Sequence, residues 1–342
     1  MLRKYRSPIL IIVFFILAAG NPFHAVARQH TITGRTMGTF YSIKFISNKN
    51  QSSSIWQQKV DIRLKEVNVR LSMYDPKSEI SLFNNYPANH AFELSNDFYQ
   101  VLLQCVNLYK ITDNAWDGTV KPLVDLWGFG TRDKADTLPT SMEIEKALGK
   151  TGFHKLKLEN QKLLKKEPDI TLDLGSIAKG YGVDAIAKLF STGGIENFLV
   201  EIGGELVGSG KNKKKQPWKV GISQPEKKGL NQNLYKIISL KDMAIATSGN
   251  YRNFFEKDGR IFSHIINPRT GIPVENQVVS ASVIAENCTI ADGLATALMV
   301  MDIQKGIDLI NTLENIECLI IKKKDDEFIS FRSRGFEAFE QK

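Results

Sequence analysis

The chain has 342 residues, 42% of them hydrophobic and 24% charged. These are ordinary globular proportions, which exclude general disorder and allow one large domain or two modest ones. The formal net charge is +8, and the two lysine runs, Lys211 with Lys213 to Lys215 and Lys322 to Lys324, carry no interleaved aromatics, which excludes nucleic acid as a partner.

The N-terminus has its own pattern. Arg3, Lys4 and Arg6 precede an apolar run from Ile9 to Ala19, and Ala25-Val26-Ala27 offers a small-x-small cleavage site. This layout predicts a secretory signal peptide over residues 1–27. The apolar run is shorter than the roughly 20 residues a spanning helix needs, although an uncleaved anchor is the other reading. No cysteine lies near the cleavage site, so a lipid anchor is not expected. Cleavage would lower the net charge from +8 to +5. The protein is therefore expected outside the cytoplasm, in the periplasm or on the periplasmic face of the inner membrane. Cys105, Cys288 and Cys318 are an odd set for an exported chain, leaving at least one unpaired, and neither CxxC nor zinc-type spacing occurs. Cys105 falls in an apolar helical pattern and reads as core.

After a polar lead-in over 28–34, Thr39 to Ile46 alternates as a strand and Ile55 to Leu71 has helical period, broken before Pro76. Asn96 to Tyr109 reads as a helix capped by Ser95, and Asp117 to Gly130 as mostly loop. Ser141 to Leu148 is a short helix. Leu156 to Leu164 and Ile170 to Leu174 read as strands, and Ser176 to Phe190 as a helix opening on Gly175. Phe198 to Leu206 is an apolar strand interrupted by Gly203-Gly204. Further strands are expected at Trp218 to Ile222, Tyr235 to Leu240, Met243 to Ala246, Ile261 to Ile266 and Val278 to Ala285. Helices follow at Ile290 to Met301 and Ile303 to Leu313, then strands at Ile316 to Lys322 and Glu327 to Phe331. With no regular βαβ rhythm and no internal linker, residues 28–342 read as one compact α+β body of two lobes.

Five places hold residues suited to chemistry. Asp292 and Thr296, four apart on a helix, share a face and present two hard oxygens to Mg²⁺. Local spacing alone favours another role, with Thr289 as helix cap and Asp292 three residues on, as in a capping box. In the run Asp173 to Gly182 an acid ends a strand and a glycine turn opens a helix, whose free N–H groups, with Lys179, suit an anion. A plain strand–turn–helix joint with a surface lysine fits as well. The two glycines of Glu201 to Glu205 indicate a bulge or close backbone contact, and neither glutamate takes a chemical role. His264 stands in the polar, turn-rich run Ser263 to Gly271, where it serves equally as a general base or as a strand histidine satisfied by the backbone. The aromatic cluster of Thr119 to Gly130 suits a flavin or adenine ring, or the core.

Taken in order, Arg35 to Thr39, Leu71 to Pro76 with Ser78 to Ile80, Asp117 to Gly130, Asp173 to Asp184, Val200 to Glu205, Thr247 to Arg252, Ser263 to Gly271 and Ala291 to Thr296 resemble the ApbE family, the FAD:protein FMN transferases. The resemblance runs from about residue 33 past residue 300 and implies an α+β fold of mixed and antiparallel sheets with flanking helices. It implies an Mg²⁺-dependent enzyme that takes FAD as substrate, links FMN through a phosphoester to a serine or threonine of a target flavoprotein, and releases AMP. Matched residue by residue, it implies flavin-nucleotide contacts at Met37, Tyr74, Ala115, Trp116, Asp117, Asp173, Lys179 and Ile266. It implies metal ligation by Asp292, Thr296 and the Ser176 carbonyl, and a base at His264. Asp292 can both cap and ligate, since a carboxylate has two oxygens. The chain departs from the family's frequent residues at Trp116-Asp117-Gly118, where Phe-Asp-Pro is common, and at Asn267, where aspartate is common. It lacks a Ser/Thr-Gly-Ala-Thr acceptor sequence, so self-modification is not expected. The resemblance suggests a membrane-associated electron-transfer flavoprotein as acceptor. Two other functions would use the same residues: an Mg²⁺-dependent FAD pyrophosphatase with water as acceptor, and an exported FAD-binding protein without turnover. A binder has little need of a metal and a base together.

Overall fold

The computed structural model describes residues 28–47, 52–130, 137–225, 233–251, 253–325 and 327–341. The expected signal segment, residues 1–27, lies outside the described residues. No described helix is long and apolar enough to cross a membrane.

The chain opens on a hairpin, β1 (Arg28–Thr36) with β2 (Thr39–Ser47), turned by Met37 and Gly38 at positive φ. The expected polar lead-in is therefore a strand. Only Ile32 and Thr36 of this edge strand are buried, so it has little apolar alternation to read. Next come α1 (Ser53–Leu71), the short α2 (Glu79–Asn84), β3 (Phe92–Glu93) and α3 (Asn96–Ile111). Ser95 caps α3 as predicted, accepting from the Phe98 N–H at 3.3 Å. The expected loop over 117–130 contains the one-turn helix α4 (Lys121–Leu126), started by Pro122 in its first turn. A Thr140–Glu143 capping box opens α5 (Ser141–Leu148).

The single strand expected over Leu156 to Leu164 is a hairpin, β4 (Leu156–Glu159) and β5 (Lys162–Lys165), because Asn160 and Gln161 both take positive φ. Among the described residues Ile170 to Leu174 pairs with no strand. Its apolar side chains Ile170, Leu172 and Leu174 are buried, and its backbone is bonded by the Asn84 side chain, which takes both N–H and carbonyl of Leu172, and by the Gly118 carbonyl. After it, α6 runs Ala178–Thr192. Gly203 and Gly204 make a two-residue hairpin turn rather than a bulge, joining β6 (Phe198–Ile202) to β7 (Glu205–Ser209), and both sit at the positive φ such a turn needs. The rest are β8 (Trp218–Ser223), β9 (Leu234–Leu240), β10 (Met243–Gly249), β11 (Phe254–Lys257), β12 (Arg260–Ser263), β13 (Val278–Ala285), α7 (Cys288–Val300), α8 (Ile303–Ile310), β14 (Glu317–Lys324) and β15 (Glu327–Arg332).

Among the described residues, eight strands form one antiparallel sheet in the order β1-β2-β6-β7-β10-β13-β14-β15. Both of its faces carry apolar side chains that are covered. The alternation divides them cleanly. Phe198, Val200 and Ile202 of β6, Ala244 and Ala246 of β10, and Cys318 and Ile320 of β14 join a core with α1, α3, α6 and α7. Leu199, Ile245, Ile284, Leu319 and Ile321 point the other way, onto Trp218, Val220 and Ile222 of β8 and Ile238 and Leu240 of β9. A third cluster, around Leu123, Trp127, Phe262 and Ile266, supports the loop of 117–130. All three cysteines are buried and unpaired. Lys211 and Lys213 to Lys215 lie in an exposed loop, and Lys322 to Lys324 at a strand end, as solvated lysines should.

Three helices are tied by one network. Arg63 of α1 binds both oxygens of Asp97 in α3 at 2.6 Å, and the Tyr181 hydroxyl of α6 donates to Asp97 at 2.6 Å. The Arg63 hydrogen bonds hold the Asp97 carboxyl below its usual range, against its burial. Arg63→Met is expected to lower stability at neutral pH by about 1.5–3 kcal/mol, the range for hydrogen bonds to a charged group. A depressed carboxylate contributes stability above its unfolded pKa and loses it as pH falls through the folded value. The gap between the two proteins should therefore shrink below about pH 4. Urea unfolding across pH measures this; a gap independent of pH would refute it.

Candidate active site

Helices α6 and α7 lie side by side and fasten each other's starts. Asp184 of α6 accepts from the Cys288 and Thr289 N–H groups at 2.8 Å and from the Thr289 hydroxyl at 2.5 Å. In return, Asp292 of α7 accepts from the Gly180 N–H at 3.0 Å. The cap of α7 itself is Asn287, whose side chain takes the Ile290 N–H. The capping box on Thr289 is thus corrected. Asp292 sits too far into its helix to serve that helix's first turn and serves the start of its neighbour, where a carboxylate also meets the positive end of the helix dipole. The anion expected at the start of α6 is, in part, Asp292. Gly180 makes this approach possible, because a methyl there would overlap the Cys288 carbonyl. Gly180→Ala is expected to cost about 1–3 kcal/mol, as overpacked sites do, and thermal unfolding should report it; an unchanged midpoint would mean the helices are not pressed together there.

A cleft of about 340 Å³ opens beside this helix pair. Lys179, Asp292, Thr296 and Ser176 line it from one side and His264 and Ile266 from another, with Ala115, Trp116, Asp117 and Asp173 also in its wall. Tyr74 stands at its edge, 78% exposed. The fold therefore brings most of the sequence-derived candidates together. Met37 is set apart from the lining, in the β1–β2 turn, with its thioether beside Gly182.

Several of these side chains shape the wall through their own bonds. The Asp117 carboxylate accepts from the Thr119 N–H (2.7 Å), the Thr119 hydroxyl (2.6 Å) and the Phe153 N–H (3.2 Å), which closes its loop. Burial pushes that carboxyl up, against these bonds. Trp116 is buried and donates from Nε1 to the Ser176 hydroxyl at 2.9 Å. Asp173 accepts from the Gly175 N–H at 2.9 Å, and burial raises it while Lys121 opposes.

The charged cluster at the helix pair is Lys179, Glu205 and Asp292. Lys179 Nζ lies 2.5 Å from Glu205 Oε1. Glu205 is 2% exposed, and its Oε2 has no hydrogen-bond partner among the described residues. Asp292 is 3% exposed and is pushed up to about 7 by burial, with Lys179 pulling it down and Glu205 pushing it further up. Two buried carboxylates thus share one ammonium, an excess of negative charge that a cation would relieve. Thr296, one turn beyond Asp292, shares a hydrogen bond with the Ser248 hydroxyl at 2.9 Å. Asp292, Thr296 and Ser176 all line the cleft, and hard oxygens of the carboxylate, hydroxyl and carbonyl kinds they carry are what Mg²⁺ takes. Among the described residues no three His, Cys, Asp or Glu side chains converge on one point, so a cage of such side chains alone is not what this cleft offers.

His264 Nδ1 lies 3.0 Å from the Asn253 carbonyl. A carbonyl only accepts, so Nδ1 is the donor in this contact. Glu205 is the residue that sequence reading passed over. Its signal was the Gly203-Gly204 pair, which read as a hairpin turn would have placed Glu205 at the start of a strand, directly opposite Ile202.

Residues 37–320 match the ApbE family. The FAD:protein FMN transferase of Vibrio cholerae is 41% identical over 314 residues, covering 92% of this chain and 93% of that protein. The Haemophilus influenzae protein of the same name is 36% identical, covering 90% of each. The solved structure of the flavin transferase ApbE from Vibrio cholerae superposes with a TM-score of 0.84 at 41% identity, covering 92% of this chain and 99% of that one.

Proposed function

The chain belongs to the ApbE family of FAD:protein FMN transferases, and on that premise we propose that it moves the FMN half of FAD onto a serine or threonine hydroxyl of a separate flavoprotein, with release of AMP and dependence on Mg²⁺. The signal-like N-terminus supports an exported enzyme, and the proposed acceptor is a membrane-associated electron-transfer flavoprotein.

Asp292, Thr296 and the Ser176 carbonyl would hold Mg²⁺, whose contribution there is to neutralise charge on the pyrophosphate oxygens. The buried wall of Ala115, Trp116 and Ile266, with Tyr74 at the edge, offers apolar and aromatic surface to the ring systems of FAD. Met37, Asp117 and Asp173 complete the proposed nucleotide contacts, the two acids through the loop shapes they hold. A hydroxyl is a weak nucleophile, and His264 Nε2 would take its proton as it attacks. The new bond joins the acceptor oxygen to the phosphorus on the FMN side. The bond from that phosphorus to the bridging oxygen breaks, and AMP leaves with the electron pair. Lys179 would stabilise the charge that collects on the phosphoryl oxygens.

The observation that carries this reading is the meeting of Lys179, Asp292, Thr296 and His264, from distant parts of the chain, in one cleft. The test is to incubate the protein with FAD, Mg²⁺ and a domain bearing a Ser/Thr-Gly-Ala-Thr sequence. A mass gain of one FMN on that domain, abolished by EDTA, is the expected result. Free FMN and AMP without an adduct would instead make the protein a pyrophosphatase. FAD bound and intact would make it a carrier.

A further inference from the structure

We propose that Glu205 is a positioning residue that holds the Lys179 ammonium away from Asp292 and so keeps Asp292 open to a cation. The inference rests on the reading of Asp292 as a metal ligand.

Lys179 and Asp292 are close neighbours, since the N–H of Gly180, the next residue along, donates to Asp292. A lysine on a flexible four-carbon stem would ordinarily fold onto such a buried carboxylate. Here its ion pair is with Glu205, and among the described residues no ion pair joins Lys179 to Asp292. Glu205 is well placed to prevent the collapse. It opens β7 directly after the hairpin turn, paired with Ile202, so rigid backbone fixes it. Gly203 in the turn leaves room for the lysine stem: a methyl there would sit 3.3 Å from Lys179 Cδ.

The cost of the arrangement supports a role beyond stability. A buried ion pair loses solvation that its attraction seldom recovers, and apolar residues of similar size commonly stabilise a fold as well. Glu205 also leaves Oε2 buried without a hydrogen-bond partner among the described residues. What the pair does achieve is to commit the Lys179 ammonium's hydrogen bond to Glu205, so that among the described residues no ion pair to Lys179 occupies the Asp292 carboxylate.

The test uses Mn²⁺ as probe, with binding followed by electron paramagnetic resonance on the full-length protein without FAD. Asp292→Ala should abolish tight binding. If it does not, the reading of Asp292 as ligand fails, independently of Glu205. Glu205→Asp keeps the charge but shortens the reach, and should weaken Mn²⁺ by about tenfold, a coupling of ordinary size between neighbouring charged groups. Glu205→Gln should weaken it at least as much. In a Lys179→Met background the Glu205→Asp loss should fall to roughly twofold or less, the limit of simple additivity. Equal losses with and without Lys179, or full affinity in Glu205→Asp, would overturn the proposal and leave Glu205 a plain source of negative charge or a direct ligand. Unfolding midpoints of each variant separate folding from binding. Should Glu205→Asp not fold, Glu205→Gln with and without Lys179→Met decides between the same outcomes by the same non-additivity.

Discussion

Asp292→Asn is expected to lower covalent FMN transfer by at least about 10³-fold, the several kcal/mol of charge stabilisation that a bound cation supplies. Asparagine keeps the size of the side chain and an oxygen to accept from the Gly180 N–H, so the junction of α6 and α7 should survive. Alanine would also remove that acceptor and leave a buried N–H unpaired, a cost of about 1–3 kcal/mol in stability. Comparing the two separates chemistry from folding. Intact mass of the acceptor reports transfer, and thermal unfolding reports the fold. Undiminished transfer by Asp292→Asn would remove this carboxylate from the reaction. The protonation of Asp292 adds a second expectation. Burial pushes it up to about 7, and a ligand must lose its proton to bind a cation, so Mn²⁺ affinity should strengthen as pH rises from about 6 to about 8. Without a cation the sign for stability is the opposite. A carboxyl raised above its unfolded pKa favours the fold at low pH, and that contribution is lost as pH climbs through about 7.

His264→Ala is expected to slow transfer by about 10²–10⁴-fold, the range that a positioned general base supplies. The loss should fall on the rate of the bound complex. His264 is held by the Asn253 carbonyl through Nδ1, Nε2 is the nitrogen proposed to take the proton, and on that proposal little of FAD binding should depend on it. Single-turnover rates with FAD affinity from flavin fluorescence separate the two. A loss confined to FAD affinity would make His264 a binding residue. Restoration of rate by added imidazole would support proton transfer at this position.

Much of the architecture was legible because its signals are local. The cap at Ser95 and the helical apolar pattern located α3, the short helix expected at Ser141 to Leu148 is α5, and the β-type run Val278 to Ala285 located β13 within its observed bounds. The ordered motifs also carried the family. Elements whose shape depends on a partner were not legible. The strand β1 exists because β2 lies beside it. Ile170 to Leu174 has strand composition, yet a side chain, Asn84, supplies its hydrogen bonds in place of a ladder.

The site divides along the same line. Lysine, aspartate, threonine and histidine announce their chemistry wherever they stand, so Lys179, Asp292, Thr296 and His264 could be named from residue type and motif. Their meeting could not be read from spacing. By local spacing Asp292 looked like the capping-box partner of Thr289 in its own helix, whereas packing brings the start of α6 to within 3.0 Å of it. Glu205 was passed over because the adjacent Gly203-Gly204 pair marks a turn or bulge and not a charge partner; its proposed role comes from a hairpin turn that aims it and a lysine 26 positions away that it holds. Residue chemistry and local period are properties of short stretches of chain. Burial, shared charge and the raised Asp292 carboxyl arise only when segments more than a hundred residues apart exclude water together.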